Sequence, residues 1–294
     1  MSKFMLNELH KEILNSLTKK EFLKKINITE EKVQSYIINK KFVNSLLILI
    51  NKKHLLCRDV LDLSIDIISN VCTEMPKEWL PYIFQYTLHK SFPDATTIKL
   101  IPKYEAGALI YLEILKTILH HGKNSGVFDK FTDFDFLTNL EISELPNPDE
   151  YINFIDKFEK TYIYELMMLD QEVNGFNTLN HVAAVHYVAM HVARQLKKVG
   201  SHVNLGLVSG AAAGHDIGKY GCKGLEKRRV PYLHYYYTEQ WFSKYNMPNI
   251  GLIAANHSTW DLELENLPLE SLILIYADFR VKNKTTKNGY EMHI

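Results

Sequence analysis

Helical periodicity runs through nearly the whole chain, and no segment shows the apolar-polar alternation of a half-buried strand. From Asp149 to Asp170, the residues Tyr151, Ile155, Phe158, Tyr162, Leu166 and Leu169 recur at spacings of three and four. That is one stripe of a 3.6-residue helix. Similar stripes occupy residues 5–18, 40–52, 58–72, 77–90 and 104–121. A sheet needs alternating runs bounded by turn signals, so the pattern predicts an all-α fold. At 294 residues the chain suffices for one large domain or two ordinary ones, burying most of its apolar surface.

The expected boundary lies in Glu144–Asp149, where Pro146 and Pro148 interrupt the helical pattern. Residues 1–147 read as a separate N-terminal helical domain of short helices, in the manner of irregular helical repeats. Residues 148–294 form the second domain, and their composition differs. Seven of the 13 glycines fall between Gly200 and Gly224, and four of the five arginines lie beyond residue 190.

The 34 basic and 34 acidic side chains balance. An extended nucleic acid would call for a basic surplus, so it is not expected as a partner. A small phosphorylated ligand held by a few local cations remains compatible. The longest apolar runs, Leu46–Ile50 and Leu272–Ala277, are too short to span a bilayer, so no membrane is expected. The charged start lacks the apolar core of a signal peptide. Cys57, Cys72 and Cys222 are far apart and form no CxxC pair, which points to a reducing cytoplasm.

The strongest local signal is GHDIGK, Gly214–Lys219. His215 and Asp216 offer an imidazole nitrogen and a carboxylate oxygen side by side, and both suit a metal. Upstream, His181, His186 and His191 share one expected helix. At about 100° per residue, Val185, Val188 and Val192 fall within about 40° of His181, so His181 is expected to face the core. His186 and His191, about 140° and 80° away by the same geometry, are not. Downstream, His234 shares a face with Tyr237, Thr238 and Trp241, and His257 ends a stripe of Ile250, Ile253 and Ala254. Asp278 sits in an apolar helix that Pro268 opens. A carboxylate buried there needs a cation. One such histidine is usually structural. The ordered set on successive helices points to metal: His181, His215, Asp216, His234, His257 and Asp278.

This order resembles the HD-domain superfamily of metalloproteins, including the HDIGK form of its central motif, over roughly residues 150–282. The resemblance implies an HD-type helical core in which His181, His215, Asp216 and Asp278 form the minimal mononuclear set. His234 and His257 match the extra histidines of dinuclear members, with Asp216 bridging two divalent ions. Imidazole and carboxylate donors suit Fe or Mn, with Mg, Ni or Co also compatible, and the lack of thiolates argues against structural zinc. HD-GYP phosphodiesterases carry a Gly-Tyr-Pro signature that is missing beside Asn256, His257 and Ser258. The layout is nearer to HD enzymes that cleave diadenosine tetraphosphate.

What the resemblance implies is a phosphohydrolase or phosphodiesterase acting on a nucleotide-like phosphoester through metal-activated water. Asp216 and Lys219 are its expected catalytic residues, Lys219 resembling a family lysine that reaches toward substrate or the bridging carboxylate. Arg228 and Arg229, after a glycine-rich loop, and Arg280, past the last ligand, are the expected phosphate-binding residues. Gly206, Gly210 and Gly214 recur every four residues and fail the Walker pattern, so they predict close helix packing. Tyr232, Tyr235, Tyr236 and Tyr237 suit either base stacking or a half-buried core. His120 and His121 before Gly122 read as a helix C-terminus.

Two other functions fit the same residues. Dinuclear-iron HD oxygenases resemble this six-residue order, and a regulatory HD domain would sense a nucleotide without turnover. In the latter, the N-terminal helices would dock a protein partner or further domains of the same chain. Only sixteen residues follow Asp278, so a fragment of a longer polypeptide, truncated at its C-terminus, is also expected.

Overall fold

The computed structural model describes residues 3–52, 54–72, 74–125, 133–257, 266–286 and 289–293. The fold is all-α, and none of the described helices is long and apolar enough to cross a membrane. The chain forms two compact units.

The first unit comprises Met1–Thr87, Thr97–Lys130 and Met168–Gly175. Its helices are α1 (Lys3–Leu17), α2 (Lys20–Ile26), α3 (Glu30–Ile37), α4 (Lys40–Ile50), α5 (Cys57–Val71), most of α6 (Trp79–Ser91) and α7 (Pro102–Ser125). Helices α1, α2 and α5 pack on α7. Ala108, Ile110, Leu112, Ile114 and Leu115 of α7 have no exposed surface. A helix contacted from several sides buries more than one stripe. Asn27 ends α2 in the left-handed conformation at φ 53°, and its amide bonds back to the Leu23 carbonyl. The Glu172 carboxylate accepts the Cys57 and Arg58 amides, an anion at the positive end of α5. Helix α7 continues through Gly122 to Ser125, so His120 and His121 lie within it rather than at its end.

The second unit comprises Leu88–Thr96, Phe131–Met167 and Phe176–Ile294. It holds α8 (Asn139–Ser143), α9 (Asp149–Lys160), the start of α10 (Ile163–Asn174), α11 (Thr178–Lys198), α12 (Leu205–Gly214), α13 (Val230–Lys244), α14 (Pro248–Ala255) and α15 (Leu269–Arg280). The proline-marked segment Glu144–Asp149 lies inside this unit. The residues before it are held there by packing. Phe134 and Leu145 are buried, and the Leu137 amide donates to the Tyr151 hydroxyl at 3.0 Å.

Helix α12 is central, packed on α9, α11, α14 and α15. Asn204 caps its start by accepting the Gly206 and Leu207 amides. The smooth stripe expected from the glycines is present. A Cβ at Gly210 would lie 2.9 Å from Ile250, and one at Gly214 would lie 2.6 Å from Phe242.

The chain departs from its helical pattern at two places. The Asp149–Asp170 stripe is interrupted, with α9 stopping at Lys160 and Tyr162 at φ 58°. The Thr161 hydroxyl bonds back to the Lys157 carbonyl at 2.8 Å, and the Thr161 carbonyl accepts from Ser91 at 3.2 Å. These bonds compete with continuing the helix. A short antiparallel pair, Lys282–Thr286 with Gly289–His293, also follows α15, with Lys282 opposite His293. Lys282, Asn283 and Lys284 are too polar to show an apolar alternation.

An ion pair ties α8 to α11. Arg194 Nε donates to Glu141 Oε1 at 2.7 Å and Nη2 donates to Oε2 at 3.2 Å. Arg194 holds the Glu141 carboxyl at about 2; burial opposes this and the Thr138 amide assists. A depressed carboxylate contributes stability that is complete above its unfolded value, about 4.3, and lost as pH falls through its folded value. Arg194→Ala should cost about 1–2 kcal/mol at pH 7 once solvent screening is counted. Urea melts between pH 7 and pH 3 should show that cost shrinking below about pH 4.5.

Candidate metal centre

Five side chains, carried on or just past five helices of the second unit, gather around Asp216. His181 lies in the first turn of α11, and His215 and Asp216 directly follow α12. His234 is on α13, His257 lies just past α14, and Asp278 is near the end of α15. Packing of α11 and α12 against α15 gathers one part of the set, and packing of α13 against α14 gathers the other.

The two carboxylate oxygens of Asp216 face different partners. Oδ2 lies 3.6 Å from His181 Nε2 and 3.6 Å from His215 Nε2. The same two nitrogens lie 3.0 Å and 3.9 Å from Asp278 Oδ1. Oδ1 of Asp216 lies 3.7 Å from His234 Nε2 and 4.0 Å from His257 Nε2, which are themselves 3.3 Å apart. Separations of 3.6–4.0 Å are too long for hydrogen bonds. Donors bonded to one cation at about 2.1 Å sit about 3.0–3.5 Å from each other, so a shared cation fits with small movements. His181, His215 and Asp278 form one group that could hold a metal, and His215, Asp216 and His257 form another.

Backbone carbonyls aim the rings. His215 Nδ1 is 2.9 Å from the Ala212 carbonyl, His234 Nδ1 is 2.8 Å from that of Val230, and His257 Nδ1 is 2.6 Å from that of Ala254. A carbonyl only accepts, so each Nδ1 carries the proton and each Nε2 of the neutral ring presents a lone pair. Ala212 and Ala254 lie in the last turns of their helices, where carbonyls lack intrahelical partners. Buried His215 Nε2 has no hydrogen-bond partner among the described residues. That orphaned nitrogen faces two carboxylates and is one of the donors that could hold a metal.

The electrostatics favour the same state. Burial pushes the His215, His234 and His257 imidazoles below the usual histidine range, His257 to about 3. They are therefore neutral at pH 7, as metal binding requires. Burial opposes ionisation of Asp216, yet the Lys219 ammonium and the surrounding imidazoles hold its carboxyl well below the usual range. Burial likewise opposes ionisation of Asp278, and His181 and His215 outweigh it. Lys219 Nζ donates to Asp216 Oδ2 at 2.5 Å.

The centre is closed on one side and open on the other. The side chains of His215, Asp216, His234 and His257 are at most 5% exposed, whereas Asp278 is 22% and Lys219 37% exposed. Among the described residues of the centre, His181, Asp278 and Lys219 are the ones that meet solvent. Arg228 and Arg229 are exposed on the 3₁₀ turn Gly224–Arg229, and Arg280 is exposed at the end of α15. Among the described residues, no hydrogen bond or ion pair joins them to the six.

Three features escaped the sequence reading. His186 is fully buried, contrary to expectation, because α11 is covered on that side too. Its Nε2 is 3.0 Å from Ser209 Oγ, and its ring meets Phe134 and Phe136. Thr238 accepts the Gly218 amide at 3.1 Å and donates to the His215 carbonyl at 3.0 Å, clamping the turn that carries Asp216. Its position one turn from His234 was the available signal. Tyr235 lies against both His234 and His257. Burial, with the Asp216 and Asp278 carboxylates, pushes its phenol up to about 12. Of the other tyrosines, Tyr232 and Tyr236 are exposed, and Tyr237 donates to Glu226 at 2.8 Å.

No protein-family profile matches this chain, and no curated protein or solved structure matches it.

Proposed function

We propose that the chain is a metal-dependent phosphohydrolase that cleaves a nucleotide-like phosphoester with two divalent cations, Fe or Mn, divided by Asp216. The observation that carries this reading is the split at Asp216. Oδ2 faces His181 and His215, whose nitrogens also reach Asp278, and Oδ1 faces His234 and His257. His181, His215, Asp278 and Asp216 Oδ2 would hold one cation; His234, His257 and Asp216 Oδ1 would hold the other. Divalent cations supply Lewis acidity, a lowered pKa for water and charge neutralisation on phosphoryl oxygens.

The chain's own groups do the rest. Neutral imidazoles offer lone pairs without first losing protons. Burial of His215 and His257 keeps bulk water from the closed side, which strengthens every electrostatic interaction there. Lys219 stands at the open side, where its ammonium meets an arriving phosphate and shares the field of Asp216. Arg228, Arg229 and Arg280 are the exposed cations assigned to the remaining phosphate charge.

The test uses anaerobic protein with added Mn(II), a generic phosphodiester and a panel of nucleotides in oxygen-18 water. Phosphate or nucleotide product carrying one solvent oxygen, lost on chelation with EDTA, is the expected outcome. A product that forms only with dioxygen, and carries its label, would point instead to an oxygenase. Tight nucleotide binding with no turnover would point to a sensor.

A further inference from the structure

Helix α13 places Tyr235 directly after His234. Neighbouring residues on a helix splay about 100° apart, and their side chains do not ordinarily meet. Here the two ring centroids are 3.8 Å apart at 42°. The tyrosine is therefore turned back along the helix surface onto its neighbour. The same ring lies 4.9 Å from that of His257, at 50°, across from α14. One aromatic side chain thus touches both imidazoles that face Asp216 Oδ1. His257 also meets His215 of the other set, at 4.8 Å. His181 and His215 contact each other at 5.5 Å, and Asp278 lies against both Nε2 atoms.

The donor sets differ in charge as well. The Oδ2 side combines two imidazoles with two carboxylates, Asp216 and Asp278. The Oδ1 side combines two neutral imidazoles with only the shared carboxylate. Fewer anionic donors mean weaker cation binding, so this side depends more on how well its imidazoles are held in place. A ring that restrains both of them matters most where charge contributes least.

We propose that Tyr235 is a positioning residue for the His234 and His257 pair, and that its ring sets the affinity of the second, weaker cation. The inference rests on the two-cation reading above. Tyr235 needs no bond to the cation for this role. Its ring, in contact with both imidazoles, limits their rotation, so that their Nε2 atoms stay 3.3 Å apart and directed at Asp216. Its hydroxyl is dispensable to that function, whereas its ring is not.

The experiment counts Mn(II) bound by the whole chain at equilibrium, with electron paramagnetic resonance reporting spin coupling between neighbouring ions. Wild type, Tyr235→Phe and Tyr235→Leu are compared, and circular dichroism verifies that each is folded. Wild type and Tyr235→Phe should bind two equivalents and show the coupled signal. Tyr235→Leu should keep the first equivalent unchanged, bind the second about 10–100-fold more weakly, and lose the coupled signal at limiting metal. Equal binding by all three proteins would overturn the role of Tyr235. So would equal weakening of both equivalents in Tyr235→Leu, the mark of a general packing residue, and so would a Tyr235→Phe that behaves like Tyr235→Leu. A wild type that takes up no second cation would overturn the two-cation reading and this role with it, and that result is visible before any variant is compared.

Discussion

Asp216→Ala is expected to lower phosphoester turnover by about 10³-fold or more while leaving the helical fold in place. The scale follows from losing a charged group that holds the transition-state machinery, about 4 kcal/mol or more of barrier. Both proposed cation positions use this carboxylate, one through each oxygen, so a single substitution reaches both. The fold should tolerate the loss better than the chemistry does. Asp216→Ala removes the cost of burying the carboxylate together with the larger attraction of Lys219 and the imidazoles, so a part of the stability goes with it. Its nearest cation, Lys219, is 37% exposed and can turn to water. The imidazoles of His215, His234 and His257 are neutral and leave no stranded charge. Circular dichroism should match wild type, steady-state phosphate release should vanish, and Mn(II) should no longer raise the melting temperature. Mn(II) raises it in wild type because an ion bound only by the native state adds stability by mass action. Retained turnover in this variant would remove Asp216 from the centre of the account.

Gly218→Ala is expected to have the largest effect on the fold near the site. A Cβ at this position would lie 1.9 Å from the His234 carbonyl oxygen and 2.4 Å from the Thr238 amide nitrogen. These are backbone atoms of α13 and cannot rotate away as a side-chain tip can. Either the 3₁₀ turn Ile217–Gly221 or the helix must move. The contact also lies between Asp216, two residues before Gly218, and His234, so any movement widens the Asp216 Oδ1 side. Overpacking against a fixed backbone should cost about 3 kcal/mol or more. A fall in urea midpoint together with loss of the second Mn(II) equivalent is the expected pair of results. Loss of stability with both equivalents intact would show that the turn yields without carrying Asp216 away from His234.

Much of this was legible in the sequence, for identifiable reasons. Helical stripes need only the order of apolar residues, and those over 40–52, 58–72 and 77–90 fall on α4, α5 and α6. The ligand candidates were legible because each is a polar group on an otherwise apolar helix face. The structure brings all six together, while Arg228, Arg229 and Arg280 stay on the surface. What the sequence hid depends on tertiary contact. The break at Thr161 and Tyr162 involves a hydrogen bond from Ser91, seventy residues away. Burial of His186 depends on Phe134 and Phe136 covering a face that looks polar on a helical wheel. Tyr235 was one of four clustered tyrosines, and its contacts with His234 and His257 distinguish it from exposed Tyr232 and Tyr236. The ring-orienting carbonyls were nearer to reach, since Ala212, Val230 and Ala254 lie three or four residues before their histidines.

The most direct test of the central claim is an anaerobic Mn(II) titration of the metal-free protein. Phosphoester turnover and bound metal are measured in the same samples. Little turnover is expected at the first equivalent, a steep rise as the second binds, and none at any loading for Asp216→Ala. No phosphate release at any loading, or turnover that appears only when dioxygen is admitted, would contradict that claim.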